Sequence, residues 1–262
     1  MKITLLQHAT QWMAADANRR NAEEWIERCA DSHLVVLPEM FTTGFCTEPR
    51  TMQVVGGGAP EREISGATSL EWMQRMAARY CVTLAGSVAM CEEGDFYNRL
   101  FFVRPDGTYA SYDKRHLFTF AGEDHHYRAG AERVVVEVEG ARILLLICYD
   151  LRFPVWSRNR GDYDVILCVA AWPSSRRAVW DLLLRARAIE NVSYVCGVNM
   201  VGSDPAAQYS GGTAAIDFAG NIVAQVADNE QGAATFELDM GALEAFRSKF
   251  PALSDADDFE IK

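Results

Sequence analysis

No run in the 262-residue chain approaches the roughly 18 consecutive apolar residues of a membrane-spanning helix. The opening MKITLLQHATQW has too short an apolar stretch for a signal peptide. A cytoplasmic protein with no membrane partner is therefore expected. Basic residues are also scarce: 25 Lys and Arg stand against 36 Asp and Glu, a net charge of −11. Nucleic acid requires a basic stripe and anionic lipid a polybasic patch, so neither partner is expected. An anionic small substrate remains compatible, because one arginine can dominate a pocket. There is no G-x-G-x-x-G, and Gly56, Gly57 and Gly58 are not followed by GK[ST], so a nucleotide cradle is not expected. The seven cysteines are odd in number, with no CxxC pair and no Cys/His spacing of a metal site. Cys81, Cys168 and Cys196 lie in or beside predicted strands and read as buried reduced thiols.

What the chain does have is an ordinary globular balance, 49% apolar and 23% charged residues, enough for one α/β domain over 1–262 with an acidic tail at 251–262. Apolar runs predict strands at Ile3–Leu6 and Leu34–Leu37 around a helix at Asn18–Ala30 whose Trp25, Ile26 and Cys29 share a face; such a βαβ unit implies parallel pairing. Phe41–Ser65 reads as a long irregular excursion, of a length that is often functional. A helix at Thr68–Tyr80 turns Leu70, Met73, Met76 and Ala77 to one side, and a strand follows at Val82–Ala89. Asn98–Val103 and Tyr109–Tyr112 flank Pro105-Asp106-Gly107 as a hairpin, and Val134–Val138 and Arg142–Ile147 flank Glu139-Gly140-Ala141 as a second. After a short helix at Val155–Asn159 come a buried strand at Val165–Ala170, a helix at Arg177–Asn191 and a strand at Tyr194–Val198. The helix is expected to bury Val179, Leu182, Leu183, Ala186 and Ile189. Strands at Thr213–Phe218, Ile222–Val226 and Ala233–Leu238 and a helix at Met240–Lys249 close the chain. About a dozen strands, some parallel and some in hairpins, exceed what one twisted open sheet usually holds, which argues for two stacked mixed sheets with helices outside.

The chemistry concentrates after three strands. Glu39 follows LVVLP, Lys114 follows YASYD, and Cys148 follows ILLLI. Strand ends collected at one edge of a sheet bring distant positions together, and open α/β sheets place ligands there. Taken singly, each has a structural reading too: a solvated loop carboxylate, a surface charge, a small core thiol. Taken together they suit covalent acyl transfer. A free thiol is mostly protonated at neutral pH and needs a neighbouring cation or base, for which Lys114 and Glu39 are candidates. Attack on an amide carbonyl creates an oxyanion, and the candidate donors are Lys114 and the backbone N–H of Tyr149. His116, His125 and His126 do not suggest a metal, since adjacent histidines on an extended loop rarely aim at one ion.

Four segments then carry a resemblance: LPEMFTTGF (Leu37–Phe45), YDKRHLF (Tyr112–Phe118), CYDLRFP (Cys148–Pro154) and RARAIEN (Arg185–Asn191). Their content and order resemble the signature regions of the nitrilase superfamily of carbon–nitrogen hydrolases. Within it the chain is most similar to the omega-amidase branch. The resemblance implies a four-layer αββα sandwich, a Glu39–Lys114–Cys148 triad, a cysteine thioester intermediate without metal or organic cofactor, and a homodimer formed through helices near the nucleophile. It further implies a second glutamate between the lysine and cysteine motifs, which falls on Glu123, with Glu132 as the other possibility. Glu190 in RARAIEN would support the site or the dimer interface.

Omega-amidases act on monoamides of dicarboxylic acids, such as 2-oxoglutaramate and 2-oxosuccinamate, so the substrate's far carboxylate needs a cation. Arg152, four residues after Cys148, is the candidate, because guanidinium grips carboxylate through two hydrogen bonds; the competing reading is a structural ion pair with Asp150 or another acid. Phe41 and Trp172 are candidate apolar walls. The alternatives are another amidase of the superfamily, acting on deaminated glutathione or an N-carbamoyl amino acid, and a non-catalytic member that binds a metabolite.

Overall fold

A computed structural model describes residues 1–49 and 67–261, so most of the glycine-rich excursion, and with it the question of a lid, lies outside the described residues. Two six-stranded mixed sheets account for nearly all the strands. The first is built from β1 (Lys2–Gln7), β2 (Leu34–Val36), β3 (Thr83–Glu92), β4 (Asp95–Val103), β5 (Tyr109–Asp113) and β14 (Gly232–Glu237), in the order β14-β1-β2-β3-β4-β5. The second takes β6 (Val135–Val138), β7 (Ala141–Ile147), β8 (Val165–Ala170), β9 (Tyr194–Asn199), β12 (Ala214–Ile216) and β13 (Ile222–Gln225), in the order β13-β12-β9-β8-β7-β6. Each sheet has three parallel strands at its centre, β1-β2-β3 and β7-β8-β9, with antiparallel strands outside. This matches the reading of the sequence: runs without alternation such as ILLLI and VILCVA belong to strands covered on both faces.

The layers follow from what each face must bury. Ile3, Leu5, Val36, Leu100 and Phe102 of the first sheet join Leu144, Leu146, Leu167 and Val195 of the second in one continuous core without solvent exposure. Each such side chain contributes about 2 kcal/mol by leaving water. The outer face of the first sheet is covered by α1 (Ala15–Arg28) and α2 (Ala67–Tyr80), through Ala22, Ile26 and Cys29 of the first helix and Met73, Met76 and Ala77 of the second. A short α3 (Pro154–Ser157) follows the nucleophile region, α4 (Arg177–Asn191) packs on the second sheet, and α5 (Met240–Lys249) closes the fold, its start capped by Asp239. Among the described residues no helix is long and apolar enough to cross a membrane.

Three expectations fail locally. The face of α4 that is buried carries Trp180, Leu184, Arg187, Ala188 and Asn191, whereas Leu182 is 66% and Ile189 55% exposed. Two apolar stripes share this helix, and Gly197 on β9 selects between them: a Cβ there would stand 2.6 Å from Leu184, so the helix sits closely with Leu184 and Trp180 over the glycine. Cys81 is exposed, because its backbone takes a left-handed turn (φ 52°) between α2 and β3, while Cys168 and Cys196 are buried as expected. The strand begun at Val82 extends to Glu92 and turns through Glu93 and Gly94, both left-handed, into β4, a hairpin whose Glu-Gly turn is weaker in sequence than Asn-Gly. A small hairpin, β10 (Val201–Ser203) with β11 (Gln208–Ser210), also went unanticipated.

His8, just past β1, is 1% exposed, and burial lowers its pKa to about 4, a hydrogen bond to the backbone at Asn18 offsetting only part. The unfolded chain protonates near 6.5 while the folded one stays neutral, so stability is lost as pH falls from about 6.5 to 4. Urea unfolding at pH 7.5 and 4.5 should show a decline that His8→Gln reduces by up to about 3 kcal/mol.

Candidate active site

Four strand ends meet at one edge of the sandwich. Beyond β2 the chain stays beside β3, with Leu37 N–H donating to Ala85 O at 2.7 Å and Met40 N–H to Ser87 Oγ at 3.0 Å, and this places Glu39 in full burial. Lys114 comes directly after β5; its own N–H bonds to Asn98 O at 3.0 Å, and its carbonyl accepts Gly130 N–H at 2.9 Å. Gly130 has no substitute there, since a Cβ would lie 2.2 Å from the Asp113 carbonyl oxygen. Glu123 enters on a short 3-10 turn opened by left-handed Gly122. Cys148 ends β7 with φ of 45°, an unfavourable conformation for a non-glycine residue, and starts a 3-10 turn over Cys148–Arg152. In such a turn the first N–H groups have no intrahelical acceptor, which leaves the Tyr149 amide available beside the thiol.

Lys114 Nζ donates to Glu39 Oε1 at 2.9 Å and to Glu123 Oε1 and Oε2 at 3.1 and 2.9 Å, all three side chains being sealed from solvent. Asn98 Nδ2 bridges the two carboxylates, at 2.7 Å to Glu39 and 3.2 Å to Glu123. The remaining Glu39 oxygen accepts Ala171 N–H from the end of β8 at 2.8 Å, and Glu123 Oε2 accepts Phe118 N–H at 2.6 Å. Burial works against the ammonium, but the charges of Glu123 and Glu39 outweigh it and raise the Lys114 pKa. Burial raises the Glu123 pKa, and Lys114 offsets only part of the effect. The Cys148 thiol is held well above its usual pKa, by burial and by the Glu39 carboxylate, against which Lys114 pulls only partly. At rest the thiol is protonated, with a carboxylate next to it to receive the proton.

Asp150 ties the nucleophile turn to the lysine loop. Its Oδ2 accepts Ile147 N–H at 3.0 Å and Tyr112 O–H at 2.8 Å; its Oδ1 accepts His116 N–H at 2.9 Å and lies 2.8 Å from His116 Nδ1. His116 is thus engaged and stacks on Phe153 at 3.7 Å, while His125 and His126 are exposed. From the outer side Arg187 donates to Leu151 O at 2.7 Å and pairs with Glu190 at 2.8 Å, so Glu190 reaches the turn only through that arginine.

Cys148 opens onto a cavity of about 480 Å³ walled by Phe45, Phe118, Tyr149, Trp172 and Tyr209. Arg152 lines it too, its guanidinium 5.1 Å from the Trp172 ring centre, and no carboxylate among the described residues pairs with it, because Asp150 is already committed to Tyr112, His116 and Ile147. Phe41 is outside the cavity: its ring packs against Trp72 at 5.8 Å in the core under α1 and α2. Left-handed Met40 separates it from Glu39, and Phe45 stands over Lys114 instead, at 5.2 Å. Glu132 is exposed, so of the two candidate glutamates only Glu123 joins the cluster. Asn98, Ala171 and Tyr209 were missed; an asparagine inside a strand and a main-chain N–H carry no motif.

Residues 2–248 match the family model described as Carbon-nitrogen hydrolase. The chain belongs to the carbon–nitrogen hydrolase family. It is similar to the omega-amidase YafV of Yersinia enterocolitica, 45% identical over 99% of this chain and 98% of that protein. It is also similar to the 2-oxoglutaramate amidase of Bacillus subtilis, 32% identical over 97% and 96% of the two chains. The crystal structure of XC1258 from Xanthomonas campestris, a CN-hydrolase superfamily protein with an arsenic adduct in its active site, superposes with a TM-score of 0.92 at 40% identity, over 100% of this chain and 99% of that one. In this carbon–nitrogen hydrolase the cluster's geometry hangs on Asp150, whose acceptor oxygens an amide cannot reproduce. Asp150→Asn should lower the unfolding free energy by about 2 to 4 kcal/mol in urea titrations, by leaving buried donors unmet.

Proposed function

We propose that this carbon–nitrogen hydrolase is an omega-amidase that releases ammonia from monoamides of 2-oxo dicarboxylic acids through a thioester on Cys148. The observation that carries the reading is the sealed Glu39–Lys114–Glu123 cluster against a protonated thiol, opening onto a pocket whose Arg152 has no carboxylate partner among the described residues. The full-length likeness to an omega-amidase and a 2-oxoglutaramate amidase supports the same substrate class.

In this scheme Glu39 takes the thiol proton as sulfur attacks the amide carbon, which avoids a free thiolate beside two carboxylates. Lys114 and the Tyr149 N–H hold the oxyanion, where one preplaced donor is worth about 3 to 4 kcal/mol in the transition state. Glu39 returns the proton to the departing ammonia and then draws one from water, whose attack on the thioester frees the acid and expels the Cys148 sulfur, which takes that proton back from Glu39. Glu123 keeps the ammonium of Lys114 in place, and Arg152 grips the far carboxylate from its seat on Trp172. Seven free cysteines and a nucleophilic thiol suit the reducing cytoplasm.

Ammonia release from 2-oxoglutaramate should fall to the uncatalysed blank in Cys148→Ala; undiminished turnover would remove the scheme. Arg152→Lys should raise KM about tenfold for amides that carry a carboxylate and leave butyramide unaffected, since lysine cannot form the paired hydrogen bonds.

The protein works as a homodimer in the same reading. The support is the outer stripe of α4, where Leu182 and Ile189 stand exposed, together with Val155 of α3, 57% exposed. Leu182→Glu should shift the sedimentation coefficient from dimer to monomer; an unchanged value would place the contact elsewhere.

A further inference from the structure

A second guanidinium lines the cavity. Arg176 sits with its charge 5.2 Å from the Phe118 ring centre and 5.5 Å from that of Phe120, and its carbonyl accepts the Trp172 indole N–H at 2.9 Å. Arg152 lies over the face of the same indole, so Trp172 contacts one arginine through its ring and the other through the main chain.

The position is unfavourable for a structural arginine. Arg176 is the residue before the first turn of α4, that turn contains no acidic residue, and no side chain caps it. Cations at the start of a helix oppose its dipole. The neighbouring Arg177 is compensated by Asp181 and Asp228, each at 2.8 Å. Arg176 has no carboxylate partner among the described residues. Of the acids that also line the cavity, Asp204 is engaged, accepting Ala206 N–H and Ala207 N–H at 2.7 Å and Tyr209 O–H at 2.6 Å, and the Glu48 side chain is exposed. A cation kept at an unfavourable helix end, held by aromatic faces and turned to the same cavity as the thiol, is suited to a ligand oxygen.

We infer that Arg176 determines specificity for the oxidation state of the substrate's second carbon: it donates to the 2-oxo oxygen while Arg152 holds the adjoining carboxylate. The inference rests on the omega-amidase reading of the pocket. Two guanidinium groups lining one cavity accept an oxo acid and repel the ammonium of the corresponding 2-amino acid, so that glutamine is rejected although its amide is identical. Aromatic stacking fixes both forks in advance and lessens the ordering needed on binding.

Steady-state kinetics on 2-oxoglutaramate, glutaramate and glutamine test this in the wild type, Arg176→Gln and Arg176→Lys. In Arg176→Gln the KM for 2-oxoglutaramate should rise about tenfold through loss of one charged donor, with KM for glutaramate, which lacks the oxo group, changing less than about threefold. The preference for 2-oxoglutaramate over glutamine in kcat/KM should narrow by about tenfold or more in Arg176→Gln, and Arg176→Lys should restore part of it because the charge remains. Equal changes on 2-oxoglutaramate and glutaramate, or an unchanged preference over glutamine, would overturn the assignment. If the wild type hydrolyses none of the three, the omega-amidase reading fails instead. Calorimetric binding of 2-oxoglutarate and glutarate to Cys148→Ala, with and without Arg176→Gln, then still decides whether Arg176 reads the oxo group: loss of the difference between the two acids supports it, and an unchanged difference removes it.

Discussion

The site depends on one ammonium kept away from water. Lys114 lies between Glu39 and Glu123 with none of the three exposed, and without the lysine two carboxylates would share a buried space. Such a cluster adds little net stability, because removing three charges from water is costly, but loss of a single member leaves an unmatched charge inside. The neighbourhood is arranged around that constraint. Asn98 donates to both carboxylates, Ala171 N–H and Phe118 N–H donate to Glu39 and Glu123 respectively, and Gly130 lets the segment before β6 close against the Lys114 backbone.

The cluster's charge also determines how the thiol works. A standing thiolate would add a negative charge beside the Glu39 and Glu123 carboxyl groups. Burial and Glu39 accordingly keep Cys148 protonated. The left-handed turn at Cys148 presents the sulfur to the cavity and the next amide beside it, at a conformational cost that the Asp150 hydrogen bonds and the Arg187 bond to Leu151 O offset. The geometry of the site comes from main-chain groups fixed by the sheets as much as from side chains.

Much of this was legible in the sequence because its causes are local. Buried parallel strands need unbroken apolar runs, so ILLLI, VILCVA and LVVL located the centres of both sheets and the residues that follow them. Three reactive residues after three strand ends were visible for the same reason. Orientation around a helix was not: α4 offers two apolar stripes, and the choice depended on Gly197 of a strand that the helix meets only in the folded chain. Phe41 was misassigned and Phe45 passed over because the turn at Met40 decides which aromatic faces the lysine.

The sequence by itself determined the layered α/β architecture and the candidates for nucleophile, base and cation, since apolar periodicity and residue chemistry are properties of the chain. Only the tertiary structure decided that Glu123 rather than Glu132 completes the cluster, that Asn98 and the Ala171 amide hold Glu39, and that Arg152 and Arg176 line one cavity without carboxylate partners among the described residues. Those facts arise from contacts between residues far apart in the chain, where the burial and electrostatics of each group are set by neighbours that no local pattern specifies.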